Sequence, residues 1–221
     1  SITNPNNFAS INETVYFRAM TDGNGWELFK SKGTPESTEL VKEINPGPGG
    51  GNSGYLVVLN DKMYFHGNDG IHGTELWESD GTEQGTHMVK DIWVGTESGR
   101  NINNKVFVSD SLMYFTANDN IHGKELWRSN GTSEGTYLLK DINPSGDSAP
   151  LYFAKLGDFI YFSAENQEHG RELWVTDGTT EGTKLLFDIN ESGSANVSNI
   201  VVLNDVLFFN ATAADNVRKL Y

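Results

Sequence analysis

The chain of 221 residues contains no cysteine. That single absence excludes disulfides, thiolate nucleophiles, Cys-ligated zinc and iron–sulfur clusters. Basic residues are scarce: 16 Lys and Arg face 30 Asp and Glu, for a net charge of −14. Phosphate binding needs a Lys/Arg footprint, so the balance argues against nucleic acid and against an anionic membrane surface. No apolar run approaches the roughly 18 residues that read as a membrane span. No signal-peptide pattern is present, as is also true of any mature chain. Finally, no window sustains a helical hydrophobic period, and 24 glycines with frequent Asn leave no room for long helices. What remains is an acidic, soluble, all-β chain, long enough to bury a core without staples.

What is present is a repeat. Glu75-Leu76-Trp77-Glu78-Ser79-Asp80-Gly81-Thr82 recurs at Glu125 to Thr132 and at Glu172 to Thr179, with a weaker copy at Glu27 to Thr34. The intervals between the glutamates are 75 − 27 = 48, 125 − 75 = 50 and 172 − 125 = 47. A degenerate fifth copy, Lys219-Leu220-Tyr221, stands 47 residues further on. Each copy is preceded by an apolar run, a turn and an aromatic pair: Tyr16-Phe17, Tyr64-Phe65, Tyr114-Phe115, Tyr161-Phe162 and Phe208-Phe209. Each full copy is followed by a short apolar run ending in acid-Ile: Glu43-Ile44, Asp91-Ile92, Asp141-Ile142 and Asp188-Ile189. Four short apolar runs per unit, punctuated by turn residues, are a strand signature.

A repeated four-stranded unit of this length predicts a β-propeller blade, and five blades of antiparallel strands, the last incomplete, fit the count. A parallel β-helix, whose coils are shorter, is the lesser alternative. The unit boundaries fall near 1–50, 51–100, 101–150, 151–196 and 197–221, within a single propeller domain. The repeated Trp77, Trp127 and Trp174 are expected in the inter-blade core.

The run Glu-Leu-Trp-x-x-Asp-Gly-Thr-x-x-Gly-Thr-x-x-Val-x-Asp-Ile, matched almost throughout by Glu75 to Ile92, resembles the ELWxxDGT (hyalin-like) repeat family. The first copy departs, with Lys32, Ser37 and Glu43 at motif positions, and the fifth departs further. The resemblance implies a large bacterial secreted or cell-surface protein and brings no catalytic residue set with it.

Topology sorts the loops. In a four-stranded meander the first-to-second and third-to-fourth turns share one end of the blade. The second-to-third loops share the other end with the inter-blade links. At the first end lie Asn60-Asp61 and Asn204-Asp205, which read as hairpin turns, and the Asp-Gly-Thr segments, read as structural turns whose Asp80, Thr82 and Thr86 bond their own backbone. A calcium role for these turns lacks the alternating ligands of an EF-hand loop, and Ca2+ stays open. The second end carries Asn68 to Gly73, Asn118 to Gly123 and Glu165 to Gly170, then the unlike links Asn45 to Gly54, Trp93 to Asn104, Asn143 to Pro150 and Asn190 to Ser198.

Variable loops on a rigid scaffold carry function. The candidate ligand contacts are therefore Trp93, Tyr55, Asp69, His72, Asp119, His122, Glu168 and His169. The three histidines occupy equivalent places in successive blades, too far apart to share one ion, and are expected to bond their own loop or a neighbouring blade. Trp93, isolated among Asn, Asp and Gly, suits either a sugar platform or a packed lid. No Gly-x-Ser-x-Gly elbow is present, and with 30 acids the presence of carboxylate pairs decides nothing. The expectation is a carbohydrate-binding, extracellular or cell-surface module that is not an enzyme. A structural or protein-docking part of an adhesin, and a polysaccharide hydrolase or lyase, stand as alternatives. The expected partner is accordingly a glycan or a cell-surface protein.

Overall fold

The computed structural model describes residues 2–51, 54–99 and 106–221. Among them the secondary structure is strand throughout, apart from one short 3₁₀ turn at Pro35–Ser37. Five antiparallel sheets follow one another along the chain, and the protein is a β-propeller of five blades whose last blade is incomplete. Blade 1 holds β1 (Ile2–Ile11), β2 (Thr14–Thr21), β3 (Asn24–Ser31) and β4 (Glu39–Lys42). Blade 2 holds β5 (Val57–Leu59), β6 (Lys62–Asn68), β7 (Thr74–Ser79) and β8 (His87–Lys90). Blade 3 holds β9 (Phe107–Ser109), β10 (Leu112–Asn118), β11 (Lys124–Ser129) and β12 (Tyr137–Lys140). Blade 4 holds β13 (Leu151–Leu156), β14 (Phe159–Asn166), β15 (Gly170–Thr176) and β16 (Lys184–Phe187). Blade 5 holds β17 (Ser198–Leu203), β18 (Val206–Thr212) and β19 (Arg218–Leu220). Every sheet pairs its strands in sequence order, as a meander does.

By internal contacts the chain forms two compact units, residues 1–113 with 129–136 and residues 114–128 with 137–221. In the first unit, the core between blades 1 and 2 joins Tyr16, Leu28, Val41 and Ile44 to Met63, Phe65 and Trp77. Trp77 is thus inter-blade filling, 6% exposed. Gly67 on the paired strand makes room for it, because a Cβ there would lie 2.5 Å from the indole. In the second unit, Leu173 and Ala154 of blade 4 pack with Val197, Ile200 and Ala211 of blade 5. Trp127 and Trp174 are buried to the same degree as Trp77.

The turns at the first end lock adjacent blades. Asn60 and Asp61, like Asn204 and Asp205, both have positive φ, the mark of a type I′ hairpin turn. In the Asp-Gly-Thr turn, Asp80 Oδ1 accepts from the Thr82 N–H (2.9 Å) and from its hydroxyl (2.7 Å). The Thr82 Oγ1 accepts from the Gly85 N–H at 2.9 Å, and the Thr86 hydroxyl donates to the Thr82 carbonyl at 2.6 Å. Asn130 and Asp177 head the same network in blades 3 and 4. Each turn then receives the preceding blade. Lys42 Nζ donates to the Thr86 carbonyl at 2.7 Å, Lys90 to Thr136 at 2.6 Å and Lys140 to Thr180 at 3.5 Å. Lys30 Nζ reaches the Gly81 carbonyl at 3.0 Å. Gly81 has φ +88°, and a Cβ on it would lie 2.2 Å from the Tyr16 hydroxyl of the blade before. Gly131 stands in the same relation to Tyr64.

Candidate functional site

The opposite end of the blades is built around a buried carboxylate. The glutamate that opens each repeat motif points down the strand into the link that leaves its blade. Glu27 Oε2 accepts from the Ile44 N–H (2.9 Å), and its Oε1 accepts from Asn45 (3.3 Å) and Gly51 (2.8 Å). Glu75 accepts from Ile92 (3.1 Å), Trp93 (3.4 Å) and Gly99 (2.7 Å) in the same way. Glu125 takes the N–H groups of Ile142 and Ser148 and the Ser148 hydroxyl. Glu172 takes Ile189 and Ala195. These four side chains lie at 0–1% exposure. A chain segment crossing between blades leaves backbone donors without ladder partners, and the carboxylate supplies acceptors for several at once. Burial pushes Glu75 and Glu125 up to about 7, against the opposing pull of those hydrogen bonds and with Asp91 or Asp141 adding repulsion. Glu27 and Glu172 are raised by burial as well.

The second-to-third loops sit on these links. Gly73, at φ +70°, comes so close to the Glu97 carbonyl that no Cβ would fit, and the Thr74 N–H donates to Ser98 Oγ at 3.0 Å. In blade 2, Asp69 organises the loop. Its Oδ1 accepts from the N–H groups of Ile71 and His72, both at 2.9 Å, and its Oδ2 meets His72 Nδ1 at 2.7 Å. Burial alone would raise the Asp69 carboxyl, but these donors outweigh it and hold it below the ordinary range. His72 is raised in turn by its hydrogen bond to Asp69, with Asp91 and Glu75 adding to the effect. Asp119 and His122 reproduce the arrangement in blade 3, with Nδ1 and Oδ2 2.8 Å apart. In each ring Nδ1 is the nitrogen that faces the carboxylate. The His72 and His122 side chains are 38% and 36% exposed.

Blade 4 departs from this pattern. Asn166 replaces the aspartate and still caps the loop by accepting from the His169 N–H at 2.8 Å. An amide is a weaker partner for imidazole than a carboxylate, and His169 Nδ1 instead meets Asp188 Oδ2 of the following link at 2.8 Å. Glu168, at 3.6 Å from His169 Nε2, projects into solvent with its side chain 82% exposed. The structure thus brings Asp69 to His72, Asp119 to His122 and Glu168 to His169. Histidines of blades 2 and 3 bond their own loops, as expected, and that of blade 4 bonds its link.

Trp93 is half-buried and anchored through its backbone to Glu75, while its neighbour Val94 is 84% exposed. Tyr55, in the preceding link, is 40% exposed. The link expected from Trp93 to Asn104 lies outside the described residues beyond Gly99, as do Asn52 and Ser53 of the one before. Among the described residues no group of three or more His, Asp or Glu is arranged to hold a metal ion. No helix among them is long and apolar enough to cross a membrane.

Sequence reasoning missed two features of this end. The buried glutamates carried a signal, since an acid recurs before every Leu-Trp or Leu-Phe in the full copies, but their role is invisible without the links that they bind. Asp188 acts on His169 only because of the Asn166 exchange.

No family model and no curated protein matches the chain. Among solved structures, a prolyl endopeptidase matches over 95% of this chain and 31% of its own, at 14% identity and a TM-score of 0.56. A puromycin hydrolase S511A mutant complexed with PGG matches over 99% and 35%, at 11% identity and a TM-score of 0.53. BamB from Moraxella catarrhalis matches over 96% and 56%, at 15% identity and a TM-score of 0.43. The chain spans about a third of the length of the first two. At these identities the likeness to the first two is one of fold.

Proposed function

We propose that the chain is an extracellular binding module that recognises carbohydrate at the end of the blades carrying the links and second-to-third loops. The observation that carries this reading is the contrast between the two ends. At the first end the Asp-Gly-Thr turns satisfy their polar groups within themselves and with the lysine of the preceding blade. At the second end, the second-to-third loop of blade 2 carries the partly exposed His72, and the links before and after that blade carry the exposed or half-buried rings of Tyr55 and Trp93. An apolar ring face beside directional polar groups suits a pyranose, which has an apolar C–H face and a rim of hydroxyls.

Trp93→Ala is the first variant to make. A glycan-array screen of the native chain, run with calcium and again with EDTA, should give a selective signal that Trp93→Ala abolishes while its melting temperature stays within a few degrees. A variant that binds like the native chain removes Trp93 from the site. A blank array from folded protein removes carbohydrate as the ligand class. A hit lost only in EDTA assigns calcium a part in binding.

A second reading, docking of another protein, is favoured by a different observation. The loop tips present aliphatic side chains to solvent: Ile71 at 64%, Val94 at 84% and Ile121 at 80% exposure. Isolated exposed aliphatics are common, and for that reason this reading stands second.

A further inference from the structure

The first strands of three blades carry the same irregularity. Between Asn6 and Ala9 of β1 three residue steps oppose two on β2, from Arg18 to Tyr16. The same extra residue lies between Leu151 and Ala154 of β13, opposite Ser163 to Tyr161, and between Ser198 and Val201 of β17, opposite Asn210 to Phe208. Each is a β-bulge, and the residue after the last regular pair is left-handed in all three: Asn7 at φ +54°, Tyr152 at φ +58° and Asn199 at φ +53°. Such a bulge favours Gly, which has no Cβ to crowd the carbonyl, or Asn, whose short amide can hydrogen-bond the local backbone. Blades 1 and 5 use the cheap residue; blade 4 uses an aromatic one.

Packing does not explain the exception. Tyr152 is 45% exposed. Its neighbour Phe153 is the residue that turns inward, stacking on Phe162 with ring centroids 5.4 Å apart. A bulge re-aims a side chain, and a bulky residue held in a strained conformation without burial is a pointer to function. The surroundings are polar. Arg171 lies within electrostatic reach of Tyr152 and of Glu165, whose Oε2 is 3.6 Å from Arg171 Nη2. The guanidinium is held by the carbonyls of Ser148 and Ala149, which leaves the half-exposed Glu165 carboxylate as an acceptor. In sequence, Tyr55 precedes Tyr64 of blade 2 by nine residues (64 − 55), as Tyr152 precedes Tyr161 of blade 4 (161 − 152), and that ring too is exposed, at 40%.

We infer that Tyr152 is a ligand-contacting platform on blade 4, held outward by the bulge to stack on a sugar ring whose hydroxyls face Glu165. The inference rests on the carbohydrate reading above and assigns it a contact that the sequence pattern did not reveal.

The test is affinity electrophoresis of the full chain in gels containing β-glucan, galactan, arabinan, xylan or alginate, paired with thermal melts. The variants are Tyr152→Asn, which relieves the strained backbone, and Tyr152→Phe, which keeps the ring. The expected result is that some polysaccharide retards the native chain and Tyr152→Phe, whereas Tyr152→Asn binds at least about tenfold more weakly with a melting temperature equal to or above the native one. Equal retardation of Tyr152→Asn and the native chain overturns the platform and leaves the carbohydrate reading standing. A lowered melting temperature in Tyr152→Asn makes the ring a packing residue and also overturns it. Absence of retardation of the native chain in every gel overturns both readings.

Discussion

The buried glutamate of each blade makes a prediction whose sign is open to direct contradiction. Glu75 is fully buried and raised to about 7 by that burial, even though three backbone N–H groups bond it. A carboxyl raised in the folded state favours the protonated native protein. Its contribution to stability is therefore complete below the unfolded value of 4.5 and is lost as pH rises through about 7. For that pair of values the linkage relation gives a loss of about 2 kcal/mol between pH 5.5 and pH 8. Glu75→Gln is nearly isosteric with the protonated acid and does not titrate. It keeps one oxygen for Trp93 and Gly99 but turns an NH2 toward the Ile92 N–H, a loss of about 1–3 kcal/mol at any pH. Measured by chemical denaturation at both pH values, the variant should be less stable than the native chain at pH 5.5, and the gap should close by about 2 kcal/mol, or reverse, at pH 8. Subtracting variant from native removes the titrations common to both. A gap that widens with pH would refute the reasoning. It would mean that the three N–H donors prevail over burial and that the clamp is an anion throughout.

Two further outcomes follow from the geometry. Gly81→Ala places a Cβ against the Tyr16 hydroxyl and into a left-handed backbone, so it should destabilise by about 2–3 kcal/mol, and adding Tyr16→Phe should restore part of that; an unaffected denaturation midpoint would dissolve the proposed inter-blade contact. Asp69→Asn should lower the His72 titration toward the ordinary imidazole value, read by NMR, because the hydrogen bond to Asp69 is the main cause of its elevation; an unchanged titration would show that Asp91 and Glu75 dominate instead.

The fold was legible because its signals are local and repeated. Alternating apolar runs, Asn-Asp hairpin turns and an Asp-Gly-Thr segment at near-constant spacing specify strands, register and blade boundaries together. The role of Thr82 and Thr86 could be read because their partners lie within four residues. The link end was less legible for the opposite reason. Glu75 binds Gly99 across 24 positions, and no short-range pattern announces such a contact. Asp188 became the partner of His169 only through the loss of an aspartate at position 166. The bulge at Tyr152 depends on a backbone angle, which the sequence hints at in blades 1 and 5 through Asn7 and Asn199 but conceals beneath a tyrosine in blade 4.

The lysine contacts between blades run in one direction. Lys42 and Lys90 each reach forward to the turn of the next blade, and each of these blades carries a tyrosine against the glycine of that same turn. A middle blade therefore contains both halves of the joint: a turn that receives its predecessor, and a lysine and tyrosine that grip its successor. Duplication of one such segment copies a complete joint, and the inserted blade meets familiar surfaces on either side. Blade number in such a chain can change by recombination without inventing an interface. Phe187 stands where Lys42, Lys90 and Lys140 stand, so blade 4 meets blade 5 without that lysine, through the apolar packing of Ala154 and Leu173 on Val197, Ile200 and Ala211.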